Sequence, residues 1–222
     1  MNAPVNTQGV SPLLVGIGGG TGKSSLAQAL VTILGPAQTA LVSHHAYYRD
    51  GGARPVDARA SVDYAVPDAF DRALFLEHLA ALRSGHPVRP PTYCLVAHRR
   101  TGQAAVVVPR AIVLIEGVLL LWEPAVRAAL DLKIYLDEPE RTALDRRPAR
   151  NLIERDRASD REFGHVTTPA RDAHRDFVEP TRTMADRVLS TDGQIQPLAE
   201  IAAAVILDRL ARHRSHRARI AS

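Results

Sequence analysis

A glycine-rich run that ends in a lysine and two serines carries the clearest chemical signal in this sequence. It consists of Gly18, Gly19, Gly20, Thr21, Gly22, Lys23, Ser24 and Ser25. Glycines let consecutive backbone N–H groups converge on phosphate oxygens, a following lysine can bridge the β- and γ-phosphates, and the next hydroxyl can ligate Mg²⁺. We therefore expect this run to bind the phosphates of a nucleoside triphosphate together with Mg²⁺.

The surroundings of the run support the same interpretation. An apolar stretch, 13–15, precedes it and a helix-like stretch, 26–34, follows it, so the loop would meet the positive N-terminal end of a helix. Lys23 and Lys133 are the only lysines in a chain that otherwise uses arginine, which favours a compact ammonium at the loop. The usual spacing places a glycine where this chain has Ile17, so the loop is predicted to be contracted or otherwise unusual. The alternative is a glycine-rich surface turn before an ordinary helix.

A single carboxylate, Glu116, ends the apolar segment that begins at Ala111. The carboxyl ends of strands in α/β sheets are where ligands bind, and an acid there suits contact with Mg²⁺ or its bound water. Ser24 and Glu116 are therefore the candidate metal residues. A purely structural Glu116 is the weaker alternative, because a buried carboxylate without a partner costs free energy.

Length and composition indicate one domain with a buried core: 222 residues, of which 45% are hydrophobic and 23% charged. The longest apolar stretch, 111–121, is interrupted by Glu116 and is too short to cross a bilayer. A single Cys94 excludes an internal disulfide framework and a cysteine-rich zinc site, and it agrees with a reducing compartment. Together with the absence of a membrane-spanning stretch, this leads us to expect a cytoplasmic protein without a membrane partner. The net charge of +4 is dispersed. The arginine-rich segment 209–219 is interpreted as a solvated helix end, and no specific nucleic-acid partner is expected.

Short apolar segments alternate with helical ones along the chain, which predicts an α/β domain with a mostly parallel sheet. The predicted strands are Leu13–Ile17, Ala40–Ser43, Ile112–Glu116, Leu132–Leu136 and Arg187–Ser190. The predicted helices are Lys23–Leu34, Pro67–Ser84, Glu138–Arg157 and Leu198–His213. The expected organisation is a disordered leader (1–11), a domain (12–213) with a hairpin insertion at about 87–109 and a lid at about 139–165, and a basic tail (214–222). Thr101-Gly102 is the predicted turn of the hairpin.

Several blocks, in this order, resemble the uridine/cytidine kinase family within the phosphoribulokinase/uridine kinase superfamily. They are the phosphate loop, 42–50, 66–71, 91–93 with His98 and Arg100, 114–117, 131–137, the arginines of 141–161, and 177–180 with Ala185 and Asp186. The similarity spans about residues 13–210. It implies a P-loop NTPase/kinase fold with a five-stranded parallel sheet flanked by helices, a β-hairpin over the nucleoside and a helical lid.

The resemblance also implies an activity and the residues that perform it. The activity is transfer of the γ-phosphoryl of ATP or GTP, with Mg²⁺, to the 5′-hydroxyl of uridine, cytidine or a similar small acceptor. The residues that match the nucleoside pocket are Tyr48, Tyr64, Tyr93 and His98. The lid arginines are Arg150 and Arg155, expected at the transferring phosphoryl group, and Arg147 and Arg157, expected to face the acceptor. A surface ion pair is the alternative for each arginine.

The chain departs from the family pattern at the residues closest to the chemistry. His45 stands where the family has the aspartate that accepts the hydroxyl proton, and Ala65, Val66 and Cys94 replace polar residues of the acceptor pocket. A neutral imidazole can accept a proton near pH 7, so His45 is the candidate base. The alternative is a histidine that lines a remodelled pocket beside His44.

Two functions from different classes follow from these observations. The leading one is a nucleoside kinase whose activity the departures would impair. The alternative is a degenerate member of the family that binds nucleotide and acts as a regulatory or partner subunit. A nucleic-acid-binding protein would explain the basic tail but not the phosphate loop or Glu116. A homo-oligomeric assembly is left open.

Overall fold

A five-stranded parallel sheet forms the centre of the molecule. The computed structural model describes residues 11–52, 66–94, 97–102, 105–137, 172–190 and 194–220. The sheet has the order β2-β5-β1-β6-β7, with β1 at Leu13–Gly19, β2 at Thr39–Ser43, β5 at Ile112–Glu116, β6 at Leu132–Asp137 and β7 at Arg187–Ser190. All four neighbouring pairs are parallel. The predicted parallel α/β sheet is therefore confirmed.

The central strands are apolar because both of their faces are covered. Every residue of β1 and β5 is buried, as expected for strands in the middle of a parallel sheet. The register pairs both Ile17 and Ser43 with Glu116. The sheet thus brings the carboxyl ends of β1, β2 and β5 to one edge, where the phosphate loop begins.

Two hydrophobic layers cover the sheet, and successive residues of β1 alternate between them. On one face Leu13 and Val15 pack with α1 (Lys23–Leu34) and the last helix, α4 (Ile195–Ile220). On the other face Leu14 packs in a cluster that includes Phe75 and Leu79 of α2 (Arg72–Arg83). A short helix, α3 (Pro124–Ala128), follows β5. The helix predicted at 23–34 begins and ends as expected.

The helix predicted over Pro67–Ser84 is wrong as a single element. The structure has a 3₁₀ turn at Pro67–Ala69, then extended backbone at Phe70, and only then α2. The Asp71 side chain accepts a hydrogen bond from the Leu74 N–H at 3.2 Å and caps the new helix. Phe70 leaves the helical path because its ring is 3% exposed and stacks on the preceding aromatic segment.

The hairpin is present, but its turn lies elsewhere than predicted. Its strands are β3 (Tyr93–Cys94) and β4 (Arg99–Arg100), so the chain reverses between Cys94 and Arg99 and not at Thr101-Gly102. A further antiparallel bridge joins Val88 to Val107 at its base. Local turn propensity at Thr101-Gly102 therefore did not decide the position of the reversal.

The remaining predicted segments lie partly or wholly outside the described residues. The lid at 139–165, with the helix predicted at 138–157, lies outside them, as do residues 1–10. Ser11, assigned to the leader, donates a hydrogen bond to the Arg83 carbonyl at 3.0 Å.

Helix α4 continues to Ile220, well beyond its predicted end at His213. No helix in the described ranges is long and apolar enough to span a membrane.

Candidate active site

The phosphate loop is a tight connection between β1 and α1. Strand β1 continues through Ile17 to Gly19, because Ile17 is fully buried and pairs with its neighbours on both sides. Only residues 20–22 remain for the turn. Gly19 has φ +95°, and a Cβ there would lie 2.5 Å from the Leu136 carbonyl oxygen, so this position requires glycine. The contraction predicted from Ile17 thus has a direct structural cause.

Lys23, the first residue of α1, points back into this loop. Its Nζ donates hydrogen bonds to the carbonyl oxygens of Gly19 at 3.1 Å and Gly20 at 2.5 Å, and the residue is 7% exposed. The helix has no side-chain cap at Gly22. An ammonium group and an uncapped helix N-terminus therefore meet at one point, which is the arrangement that binds phosphate groups.

Glu116 lies beside the loop between two hydroxyl groups. Ser24 Oγ donates to Glu116 Oε2 at 3.1 Å, and Ser43 Oγ donates to Oε1 at 2.5 Å. Glu116 is 3% exposed, so these bonds satisfy a carboxylate that would be costly to bury alone. The predicted proximity of Ser24 and Glu116 is observed, whereas Ser43 was missed by the sequence reasoning. Ser43 ends β2 and pairs in register with Glu116, a relation that no local sequence pattern encodes.

The donor atoms at this point fit Mg²⁺. The Glu116 carboxylate and the Ser24 hydroxyl are hard oxygen donors, which Mg²⁺ prefers, and both adjoin the phosphate loop. No group of three or more His, Cys, Asp or Glu side chains within the described ranges could hold a metal ion. Mg²⁺ typically keeps waters and is bound through one or two protein oxygens plus substrate phosphates, so a small donor set is sufficient.

The two adjacent histidines that follow Ser43 have different environments. His44 is 6% exposed, stacks on Phe70 with ring centroids 4.0 Å apart, and its Nδ1 has no hydrogen-bond partner. Burial, and to a lesser extent the neighbouring His45, lowers the pKa of His44 to about 3. His45 is only half-buried, and its Nδ1 lies 3.2 Å from the Tyr48 hydroxyl. His44 is therefore a neutral core residue, whereas His45 lies at the edge of the core beside the Tyr48 hydroxyl.

An aromatic wall, formed by Tyr48, Phe70 and Tyr93, adjoins His45. Tyr48 stacks on Phe70, with centroids 4.4 Å apart, and is tilted against Tyr93 of the hairpin at 5.3 Å. His98, in the turn of the same hairpin, has φ +48°, an uncommon conformation for a residue other than glycine. The structure thus brings Tyr48 and Tyr93 into contact and places His98 on the same hairpin as Tyr93. Tyr64 and all four lid arginines (Arg147, Arg150, Arg155 and Arg157) lie outside the described residues.

Arg100 connects the hairpin to the aromatic wall. Its Nε donates to the Tyr48 carbonyl oxygen at 3.1 Å, and its guanidinium pairs with Asp71 at 3.0 Å. Burial acts to raise the pKa of Asp71, but the Leu74 N–H and the Arg100 guanidinium outweigh it and lower the pKa below its usual value. The Arg100 N–H also donates to Asp50. Arg100 is part of the family pattern, but these contacts were not predicted.

We expect Gly117→Ala to destabilise the fold by about 1–3 kcal/mol, the usual cost of overpacking. A Cβ at position 117 would lie 2.5 Å from His44 Cβ, which is attached to the backbone and cannot rotate away. Chemical denaturation followed by circular dichroism would measure the loss. An unchanged free energy of unfolding would show that the segment after Glu116 can move away from His44.

The fold and this site define the class of protein. A parallel sheet of order β2-β5-β1-β6-β7, a lysine-bearing loop between β1 and α1, and a carboxylate at the end of β5 together make a P-loop kinase fold. The chain belongs to the phosphoribulokinase/uridine kinase family, which residues 14–195 match.

Individual relatives cover most of the chain. It is 36% identical over 184 residues to a uridine kinase of Clostridium botulinum, covering 82% of this chain and 89% of the relative. It is 34% identical over 190 residues to a uridine kinase of Chloroflexus aurantiacus, covering 85% and 90%. Solved structures with a similar fold include a possible uridine kinase from Bacillus stearothermophilus (TM-score 0.51, 19% identity, 81% of this chain and 89% of that chain). Another is the phosphoribulokinase from Rhodobacter spheroides (TM-score 0.54, 14% identity, 84% and 74%).

Proposed function

We propose that this protein transfers the γ-phosphoryl group of Mg·ATP or Mg·GTP to the 5′-hydroxyl of a pyrimidine nucleoside such as uridine or cytidine. The observation that carries the proposal is the hydrogen-bonded set Ser24, Glu116 and Ser43. Ser24 belongs to the phosphate loop, and Ser43 directly precedes the segment that holds His45 and Tyr48. The Glu116 carboxylate therefore lies between the phosphate loop, which is the donor end of the site, and the segment that holds His45 and Tyr48, which is the acceptor end. The uridine kinase relatives support the acceptor class.

At the donor end, the proposal assigns charge neutralisation to Lys23 and metal binding to Ser24 and Glu116. Lys23 would exchange its bonds to the loop carbonyls for bonds to phosphate oxygens. Mg²⁺, when bound, neutralises charge on the β- and γ-phosphates. The remaining charge on the transferring group would be met by the lid arginines, with Arg150 and Arg155 at the phosphoryl group and Arg147 and Arg157 toward the acceptor.

At the acceptor end, the proposal assigns the planar base to the aromatic wall. Flat rings pack well against tyrosine faces and edges, and Tyr93 and His98 are both carried by the hairpin. His45 takes the proton of the 5′-hydroxyl while that oxygen attacks the γ-phosphorus and the bond to the leaving phosphate oxygen breaks. In this step His45 receives the proton, the 5′-oxygen of the acceptor is the nucleophile, and the leaving oxygen stays on the nucleotide donor.

The deciding experiment is a phosphoryl-transfer screen with Mg·ATP and Mg·GTP against uridine, cytidine and other small hydroxylated metabolites. We expect transfer to a pyrimidine nucleoside, and His45→Ala should lower kcat by about 10²–10⁴, the usual contribution of a general base. His86→Ala is the matched control, since His86 is exposed and follows α2 at a distance in sequence from the site. Nucleotide binding without transfer to any acceptor would instead support the regulatory alternative.

A further inference from the structure

His45 and Tyr48 form a side-chain pair that follows from the local backbone. They are three residues apart, on the 3₁₀ turn His44–Tyr47 and at its C-cap. Side chains at i and i+3 of a 3₁₀ helix lie above one another. His45 Nδ1 is accordingly 3.2 Å from the Tyr48 hydroxyl, and the two rings have centroids 5.8 Å apart.

Tyr48 is held in place from several sides. It is 5% exposed, its ring stacks on Phe70 at 4.4 Å, and the two residues also form an antiparallel bridge. The Arg100 guanidinium binds the Tyr48 carbonyl oxygen and is itself paired with Asp71, the cap of α2. The Tyr48 hydroxyl is thus attached to a rigid ring, whereas His45 is half-buried at the edge of the site.

We propose that Tyr48 is the positioning residue of His45, and that its hydroxyl oxygen accepts the Nδ1–H of the imidazole. This inference rests on the proposed function. In the neutral ring one nitrogen carries a proton and the other a lone pair. Fixing the proton on Nδ1 places the lone pair on Nε2, which then takes the acceptor's hydroxyl proton. The resemblance assigns Tyr48 to the nucleoside pocket, whereas its contact with His45 gives it a second role.

The proton balance of the step is complete. The 5′-hydroxyl proton moves to His45 Nε2 as its oxygen bonds to the γ-phosphorus, and the imidazole becomes an imidazolium with both nitrogens protonated. The charged ring donates a stronger hydrogen bond to the Tyr48 oxygen than the neutral ring does. The imidazolium then loses the proton to solvent after product leaves. With the opposite tautomer, Nε2–H, His45 could donate to the acceptor oxygen but could not take its proton.

Tyr48→Phe tests the proposal, because it keeps the ring and its stack on Phe70 and removes only the hydroxyl. We expect kcat to fall about 3- to 10-fold, the range for losing one neutral hydrogen bond, with the acceptor KM within about twofold. Tyr47→Phe is the matched control, because it removes the hydroxyl of the other tyrosine of the same segment, which lies 2.9 Å from His78 Nδ1. It should leave both kcat and the acceptor KM nearly unchanged.

A spectroscopic measurement tests the same point without turnover. In ¹⁵N-labelled protein, the ring nitrogens of His45, assigned by their loss in His45→Gln, should show the Nδ1–H tautomer. That tautomer should be diminished in Tyr48→Phe and retained in Tyr47→Phe. An Nε2–H tautomer in the unaltered protein, or a Tyr48→Phe effect confined to the acceptor KM, would overturn the proposal. A kcat unaffected by His45→Ala would instead refute His45 as the base, and with it the proposed mechanism of transfer.

Discussion

Lys23→Ala is expected to lower kcat/KM for phosphoryl transfer by about 10²–10³, the range for removing one preorganised group that stabilises transition-state charge. The ammonium of Lys23 lies inside the loop, 3.1 Å from the Gly19 carbonyl oxygen, and the residue is 7% exposed. In a loop with only residues 20–22 between strand and helix, few other groups can neutralise the phosphates. We therefore also expect weaker binding of Mg·ATP in calorimetric titrations.

Lys133→Ala provides the control, because it removes the only other lysine of the chain. Lys133 lies in β6 and pairs at 3.0 Å with Asp186, which precedes β7, and a partly exposed ion pair contributes little to stability. Lys23→Arg is not expected to restore activity, since a planar guanidinium does not fit a contracted loop that holds a compact ammonium. Equal nucleotide affinity in the unaltered protein and Lys23→Ala would rule out the phosphate-loop interpretation.

Glu116→Gln is expected to lower kcat by about 10²-fold at moderate Mg²⁺ and to raise the Mg²⁺ concentration needed for half-maximal rate. The amide keeps the shape of the carboxylate and removes its charge. Both neighbouring hydroxyls, Ser24 and Ser43, can donate or accept, so the hydrogen bonds at 3.1 and 2.5 Å can be re-formed with the amide. The fold should therefore survive, while the proposed Mg²⁺ site loses the negative charge of Glu116.

Rates measured across a range of free Mg²⁺ would test this expectation. Binding of Mn²⁺ to the protein–nucleotide complex, followed by electron paramagnetic resonance, would test it independently of turnover. Glu123→Gln is the control, because Glu123 pairs with Arg72 and caps α3 outside the site. If the Mg²⁺ dependence of Glu116→Gln matched that of the unaltered protein, Glu116 would have a structural role only.

The elements that carry the donor end of the site could be predicted from the sequence alone. The bounds of α1, β5 and β7 match the prediction, because each is a continuous apolar or amphipathic segment between turn residues. The contraction of the phosphate loop also followed from local spacing, since Ile17 occupies the usual position of a glycine. The order of the family blocks along the chain is sufficient to predict the fold. Local patterns decide these features, so a linear sequence is sufficient to predict them.

Only the tertiary structure decided which side chains share the site. Ser43 reaches Glu116 across 73 residues of chain because β2 and β5 pair in one register, and no local pattern encodes that pairing. The same applies to the break at Phe70, whose ring leaves the helical path to stack on His44 and Tyr48. His44 and His45 are identical and adjacent in sequence, yet packing buries one and leaves the other beside the Tyr48 hydroxyl. Burial and strand register are properties of the whole fold, and they determine which groups can react.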